Sequence, residues 1–178
     1  ASLELARTTL DVGAPMDAIN AIAQAAGGYV RAHPTAKTLH IEPRYQVAPW
    51  GWSTATPDFQ LPDAATTKVG IEWLENPPFN AVYVAGTNAS AILAQVKRTG
   101  SAGDIVAPMV TDPLIVHDDA ARQRGIAILG NAGKTQRLTL DTPVLDIIGP
   151  YSVGSLIRFV DGAANRIGMV RSVSITAN

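Results

Sequence analysis

A glycine-rich segment containing a lysine is the first candidate for chemistry in this sequence. Residues 130–135 read GNAGKT, and their final Gly-Lys-Thr matches the end of a phosphate-binding loop, whose backbone amides and lysine cradle phosphates. The complete pattern requires a glycine five positions before Gly133, where this chain has Ile128. Such a loop also leads from a strand into a helix, whereas here the predicted helix comes first. We therefore predict a glycine-capped helix end with a favourably placed Lys134, and no nucleotide site.

Histidines and acidic residues are the next candidates, for metal binding or acid–base catalysis. The chain has three histidines: His33, His40 and His117. They show no His-Glu-x-x-His or similar spacing, and a zinc site would need further ligands. Asp118 and Asp119 begin a predicted helix with Arg122 one turn later, which is the arrangement that helix capping favours. A structural role is therefore the prediction for both groups.

The absence of cysteine narrows the chemistry further. With no cysteine in the sequence, disulfides, thiolate zinc sites, iron–sulfur clusters and cysteine nucleophiles are excluded. We predict that the protein is not an enzyme and that it has no catalytic, metal-binding or cofactor-binding residues. The third of three functional hypotheses, after the two given at the end of this subsection, is a hydrolase that uses Asp118 or Asp119.

Aromatic residues are concentrated in one proline-punctuated segment. Residues 43–62 have no regular pattern and contain four prolines, and loops this long are typically functional or cover a neighbouring surface. Two interpretations stay open, packing in the protein's own core or contact with another molecule. The possible interface residues are the aromatic side chains of this segment, Tyr45, Trp50, Trp52 and Phe59.

The elements that must position these side chains form an α+β pattern with more strand than helix. Helices are predicted at 15–26 and 118–132, and a hairpin at 29–33 and 38–42. Residues 81–85 are apolar on both sides and predict a central strand. Pro108 and Pro113 limit residues 104–116 to edges or short strands. The other predicted strands are 68–74, 80–86, 90–98, 135–140, 155–160 and 167–176.

Three consecutive segments follow from this pattern. Residues 1–45 are predicted to form a helix-plus-hairpin subdomain, and residues 46–65 an aromatic, proline-rich connecting loop. Residues 66–178 are predicted to form a β-rich domain with one helix and mostly antiparallel strands. Because the chain begins at Ala1 without Met and a strand-like pattern runs almost to Asn178, we expect a piece of a longer protein.

Charge and hydropathy limit the partners. A net charge of -1 argues against nucleic-acid binding by phosphate neutralisation and against a polybasic membrane arm. No apolar run approaches the ~18 residues of a transmembrane helix, and the first residues do not resemble a signal peptide. Charged residues make up 16% of the chain, against about 25% in typical soluble domains. With a mean hydropathy of +0.12, this deficit indicates that part of the surface is buried against copies or partners.

Residues 79–86, FNAVYVAG, resemble a strand of tailed-bacteriophage baseplate hub and tail-tip proteins, and further motifs follow in the order that resembles this family. Residues 111–116, TDPLIV, followed by 120–125, AARQRG, resemble its helix entry. Residues 148–159 and 168–175 are similar to its two closing strands, and residues 15–42 resemble its helix and hairpin. The likeness spans about residues 10–178, and residues 150–154 depart from the family's adjacent Pro-Gly.

The resemblance implies a fold and a role. It implies small β-barrel-like domains, a ring-shaped homotrimer, and a phage or prophage structural protein that joins the tail tube to the spike or tip. Its partners would be its own copies and other tail proteins, and its location the virion, or the host cytoplasm during assembly. The alternative function is a carbohydrate- or host-surface-binding module in which Tyr45, Trp50 and Trp52 stack on sugar rings. Exposed coplanar tryptophans would favour sugar binding, and covered tryptophans would favour assembly.

Overall fold

The protein folds into two compact units, each built from two separate stretches of chain. The computed structural model describes residues 14–87, 93–144, 151–162 and 164–176. One unit comprises Ala1–Gln46 and Asn76–Gly133, and the other Val47–Glu75 and Lys134–Asn178. The three consecutive segments expected from the sequence are a different kind of division and stay a prediction.

The described elements are two α-helices, ten strands and two short 3-10 helices, at Pro49–Thr54 and Asp63–Ala65. In chain order, the helices and strands are α1 (Pro15–Ala25), β1 (Gly28–Ala32), β2 (Leu39–Pro43), β3 (Phe59–Pro62), β4 (Lys68–Glu75), β5 (Ala81–Ala85), β6 (Leu93–Lys97), β7 (Val110–Thr111), α2 (Asp118–Leu129), β8 (Lys134–Asp141), β9 (Leu156–Asp161) and β10 (Ala164–Met169).

Helix α1 and its hairpin form as the sequence predicts. Pro15 lies in the first turn, where a missing N–H costs nothing, and Asp17 is favourable beside the positive end of the helix dipole. Gly27 leaves the helix with φ +65, a conformation that side chains disfavour. A side chain there would also meet the backbone of Gln123 in α2, because the two chain segments approach closely. Antiparallel β1 and β2 then follow.

Helix α2 is three residues shorter than predicted. It begins after His117, whose side chain caps it, and ends at Leu129. The predicted cap, Gly133, has a left-handed φ of +79, but it lies beyond the helix and immediately before β8. The residue at the helix end is Gly130, which has a right-handed φ of -66. The amide of Gly133 donates to the carbonyl of Pro77 at 3.0 Å, so Gly133 shapes the turn into β8 and does not cap α2.

The three-stranded sheet of the first unit is ordered β6-β5-β7, with β5 in the centre. Strand β5 pairs antiparallel with β6 and parallel with β7, and α2 packs on β5 and β6. Ala81, Val82 and Val84 are fully buried, which confirms the central strand expected from the apolar run. Strand β6 lies within the predicted 90–98 strand, whose first three residues fall outside the described ranges.

The second unit contains a three-stranded sheet and a separate two-stranded one. The first is ordered β10-β9-β3, with β9 and β10 antiparallel and β3 parallel to β9. Its core is built from Leu61, Leu156 and Phe159, all of them buried. The second sheet consists of β4 and β8, which are antiparallel along all eight residues of each strand.

Two predictions for this unit are wrong. Residues 43–62 are not irregular throughout, because Pro49–Thr54 forms a 3-10 helix and Phe59–Pro62 is a strand. The last strand starts at Ala164, opposite Asp161, and ends at Met169, so it does not span 167–176. Residues 170–176 belong to no strand that the structure describes.

The α+β class with mostly antiparallel strands is confirmed. Four of the six strand pairings are antiparallel, and β3–β9 and β7–β5 are parallel. Within the described ranges the strands form four small sheets and no closed barrel.

Candidate functional site

Tyr45 is a core residue of the first unit. Its side chain is 3% exposed, and its ring lies against Gly130 at the end of α2. Its hydroxyl donates a hydrogen bond to Oδ1 of Asn131 at 2.9 Å, and Asn131 Nδ2 donates to the carbonyl of Ala127 at 3.2 Å. Through this packing contact and hydrogen bond, Tyr45 connects the chain after β2 to the C-terminal end of α2.

Trp50 and Trp52 share the 3-10 helix of the second unit, and both are half-buried. Nε1 of Trp52 donates to the carbonyl of Val47 at 2.9 Å, which satisfies the indole N–H within the same turn. The amide of Gly51 donates to the carbonyl of Ala48 at 2.8 Å. Local hydrogen bonds and Pro49 thus shape the turn that presents both indoles.

Phe59 begins β3 and packs edge-on against Tyr151, with ring centroids 5.4 Å apart at 81°. The pKa of Tyr151 is raised because its phenol is partly withdrawn from water. Asp58 secures the start of this strand twice. Its amide donates to the carbonyl of Leu156 at 2.9 Å, and its carboxylate accepts from the amide of Leu156 at 2.8 Å.

The four aromatic residues are divided between the two units. Tyr45 belongs to the first unit, and Trp50, Trp52 and Phe59 belong to the second. A sugar-stacking surface needs exposed ring faces, and the ring of Tyr45 is enclosed. A platform of Tyr45, Trp50 and Trp52 is therefore wrong as far as Tyr45 is concerned. The role of the four residues in an interface stays a prediction.

The histidines have structural partners. Nδ1 of His33 accepts from the amides of Thr35 and Ala36, at 3.2 and 2.9 Å, and so shapes the hairpin loop. The rings of His33 and His40 lie 5.7 Å apart, so both stand beside the loop and not at opposite ends of the hairpin. Within the described ranges, no three metal-ligating side chains form a cluster.

The acidic pair and the glycine-lysine segment also have structural explanations. Asp118 and Asp119 occupy the first turn of α2, where His117 Nδ1 accepts from the amide of Asp119 at 3.2 Å. Lys134 lies after the helix and at the start of β8, which is the reverse of a phosphate-binding loop. Its ammonium is 3.4 Å from a carboxylate oxygen of Glu75 and 5.1 Å from the ring centre of Trp73.

An exposed apolar surface of the second unit lies on strands β4 and β8, which together we call the ribbon. Because side chains alternate along a strand, every second residue of each strand shares a face. In the register, Val69 stands opposite Leu140, and Ile71 opposite Leu138. We call this the apolar face of the ribbon, and its apolar residues are Val69, Ile71, Trp73, Leu138 and Leu140. The same alternation places Gln136 and the Glu75–Lys134 ion pair at one end of this face.

The apolar face is largely uncovered. Val69 is 44% exposed, Ile71 49% and Trp73 59%, while Leu138 and Leu140 are half-buried. The opposite face has a single large apolar side chain, Leu74, and carries Glu72, which forms a 3.1 Å ion pair with Arg137. Among the described elements, β4 and β8 pack chiefly on each other, and neither a helix nor a third strand covers them.

Sequence reasoning predicted both ribbon strands but not this surface. The alternation of Val69, Ile71 and Trp73 was the available signal. Alternation indicates that one face is apolar, and an apolar face is ordinarily assigned to the protein's own core. The structure shows that in this chain the face is open.

Comparison with solved structures shows a likeness in fold. The fold is similar to that of the tail protein from Neisseria meningitidis MC58, with a TM-score of 0.57 and 15% sequence identity. The similarity covers 93% of this chain and 51% of that protein, so this chain spans about half the length of the tail protein it matches. No protein-family model and no curated protein match the chain. None of the described helices is long and apolar enough to span a membrane.

Proposed function

We propose that this chain is a structural component of a bacteriophage or prophage tail, at the baseplate hub or tail tip, where it joins the tail tube to the spike or tip. The observation that carries the proposal is the fold shared with a tail protein over 93% of the chain. The order of the sequence motifs, from residues 79–86 to 168–175, supports the same class.

The proposed partners are further copies of the chain and other tail proteins. We expect a ring-shaped homotrimer located in the virion, and in the host cytoplasm during assembly. The low charged fraction of 16%, the net charge of -1 and the open apolar face support a protein that works in contact with others.

The proposal assigns no catalytic activity to the chain. Asp118 and Asp119, the residues of the hydrolase hypothesis, lie in the first turn of α2, where negative charge is favourable beside the helix N-terminus. Nδ1 of His117 accepts from the amide of Asp119 in the same turn.

Particle composition tests the tail assignment. Deleting the coding sequence from the phage or prophage genome should give particles that lack a complete tail, and expression of the wild-type protein should restore them. Gold-labelled antibody should mark one end of purified tails. Intact, infectious tails without the protein would overturn the assignment, and label along the whole tube would overturn the hub or tip location.

The expected trimer has its own test. Light scattering of the full-length protein across a dilution series should give three times the chain mass. A monomer at micromolar concentration would contradict the trimer.

A further inference from the structure

We propose that the apolar face of the ribbon is a docking surface for a second copy of this chain. The inference rests on the proposed assembly of copies and deepens it, because it assigns particular residues to the contact. The apolar residues of the face are Val69, Ile71, Trp73, Leu138 and Leu140, on strands that lie side by side over their whole length.

The ribbon has the form of an element that needs a cover. A two-stranded sheet is only marginally stable in water, and it gains stability when a third strand, a helix or another sheet packs on its apolar side. In the described part of the chain, nothing of that kind lies on the ribbon. Burial of Ile71 and Trp73 by a partner would recover the hydrophobic stabilisation that the folded chain leaves unused.

The charges of the ribbon select an uncharged partner. Glu72 pairs with Arg137, Glu75 pairs with Lys134, and Lys68 stands opposite Asp141 in the register. The six charges cancel, and each has an opposite charge in its own ribbon. No excess charge is left to attract nucleic acid, an anionic lipid surface or a strongly charged peptide. The ribbon therefore suits an apolar and nearly neutral occupant.

A second copy of the chain has these properties. Its net charge of -1 gives almost no repulsion between copies. Its second unit also exposes Val173 and Ile175, which alternate along residues 170–176. That segment has a strand-like sequence but belongs to none of the described strands. The chain thus exposes a second apolar surface, at Val173 and Ile175. The ribbon of another copy can contact this surface.

The area of the apolar face is smaller than that of a standard protein–protein interface. Two strands of eight residues span about 27 Å by about 10 Å, on the order of 300 Å². A stable interface of standard size buries about 800 Å² on each partner. In a contact of that size, the ribbon would be the apolar centre and surrounding residues would supply the remaining area.

Charge placed on the face should weaken association. In the full chain, I71D should raise the dissociation constant measured by analytical ultracentrifugation roughly 30-fold or more, as for a central interface residue. The matched control is T139D, which adds the same charge to an exposed position on the opposite face and should change association less than about threefold. Circular dichroism establishes that both variants remain folded.

A second measurement serves if I71D does not fold. The chain has no cysteine, so Ile71→Cys offers a single attachment point for a thiol-linked photo-crosslinker. In a mixture of isotope-labelled and unlabelled protein, illumination should join chains of different labels. Thr139→Cys should give few such products because its side chain lies on the opposite face.

The outcomes separate this proposal from the tail assignment. Wild-type protein that stays monomeric at every concentration, or cross-links confined to single chains, would overturn docking of a second copy. Oligomers that I71D leaves unchanged would overturn the ribbon as their contact. None of these results bears on the tail assignment, which is tested separately by antibody labelling of purified particles.

Discussion

The ring of Tyr45 lies directly against Gly130, and its hydroxyl binds the side chain of the next residue, Asn131. These residues are more than eighty positions apart in sequence, and they join the end of the hairpin to the end of α2. A Cβ at Gly130 would be 2.8 Å from Tyr45 Cζ and 2.9 Å from Cδ2, closer than atoms pack. The glycine is therefore needed for space and not for its φ of -66.

Gly130→Ala should destabilise the protein by about 1–3 kcal/mol, because the added methyl group displaces the buried ring of Tyr45. Urea unfolding followed by circular dichroism measures the change. The matched control is Gly168→Ala, where a Cβ meets no atom within 4 Å and the free energy of unfolding should stay within about 0.5 kcal/mol. Equal effects of the two substitutions would contradict the packing argument.

Tyr45→Phe should cost about 0.5–1.5 kcal/mol, because it removes the donor to Asn131 Oδ1 while keeping the ring. The comparison is Tyr83→Phe, which removes a 3.1 Å hydrogen bond with Gln95 at an exposed site and should cost less. Chemical denaturation of both variants under identical conditions gives the two values. A larger loss for Tyr83→Phe would show that the hydroxyl of Tyr45 matters less than its burial indicates.

The elements that were predicted correctly are those whose signals are local. Pro15 and Gly27 delimit α1, and the capping pattern marks the start of α2 at Asp118. The apolar run of β5 indicated burial on both faces, and the strand is central. In each case the neighbouring residues alone favour the observed conformation.

Long-range pairing decided the elements that were missed. Strand β3 exists because Phe59 aligns with Ile157, almost a hundred residues further on, and the sequence near Phe59 gives no sign of it. Residues 170–176 show the opposite case, since they alternate like a strand but have no neighbouring strand in the described chain. Alternation predicts the conformation that a segment favours, whereas a strand also requires a partner.

The candidate site was predictable in composition but not in environment. Tyr45, Trp50, Trp52 and Phe59 are close in sequence and were grouped for that reason. Tyr45 is enclosed by the end of α2, and Phe59 pairs with Tyr151. Each of these two residues therefore has its own partner, distant in sequence, that the sequence near it does not reveal.

The contact between α2 and β6 gives a prediction about coupled residues. A Cβ at Gly125 would be 2.6 Å from Val96 Cβ, so Gly125→Ala should cost about 1–3 kcal/mol through overpacking. Val96→Ala alone should cost roughly 1.5–3 kcal/mol through lost burial. In the double variant the new methyl group occupies space that Val96 vacates. The destabilisation of the double variant should therefore be smaller than the sum of the two single-variant destabilisations by about 0.5 kcal/mol or more. Residues in contact typically show coupling energies of roughly 0.5–3 kcal/mol.

The control for this cycle pairs Val96→Ala with Gly168→Ala. These residues lie in different units, and a Cβ at Gly168 meets open space. The effects of the two substitutions should add to within about 0.5 kcal/mol. Strict additivity in the Gly125–Val96 pair would rule out the tight contact between α2 and β6.

The last prediction concerns Tyr29 and Glu42, which face each other across the β1–β2 hairpin. The Tyr29 hydroxyl donates to Glu42 Oε2 at 2.9 Å, and the other carboxylate oxygen of Glu42 pairs with Arg31 at 2.6 Å. The pKa of Tyr29 is raised, first by burial and then by the hydrogen bond to the Glu42 carboxylate and its negative charge, while Arg31 opposes the shift.

A raised pKa in the folded state means that the folded protein keeps the phenol proton after the unfolded chain has lost it. The stabilisation is therefore complete below the pKa of the unfolded chain, about 10, and is lost as pH rises through the higher folded pKa. The difference in unfolding free energy between wild type and Tyr29→Phe, measured against pH, should fall across that window. Glu42→Gln removes the negative charge, so phenolate absorbance should show a lower pKa for Tyr29 than in wild type. A free-energy difference independent of pH up to the alkaline limit, or an unchanged pKa in Glu42→Gln, would exclude the carboxylate as a cause of the shift.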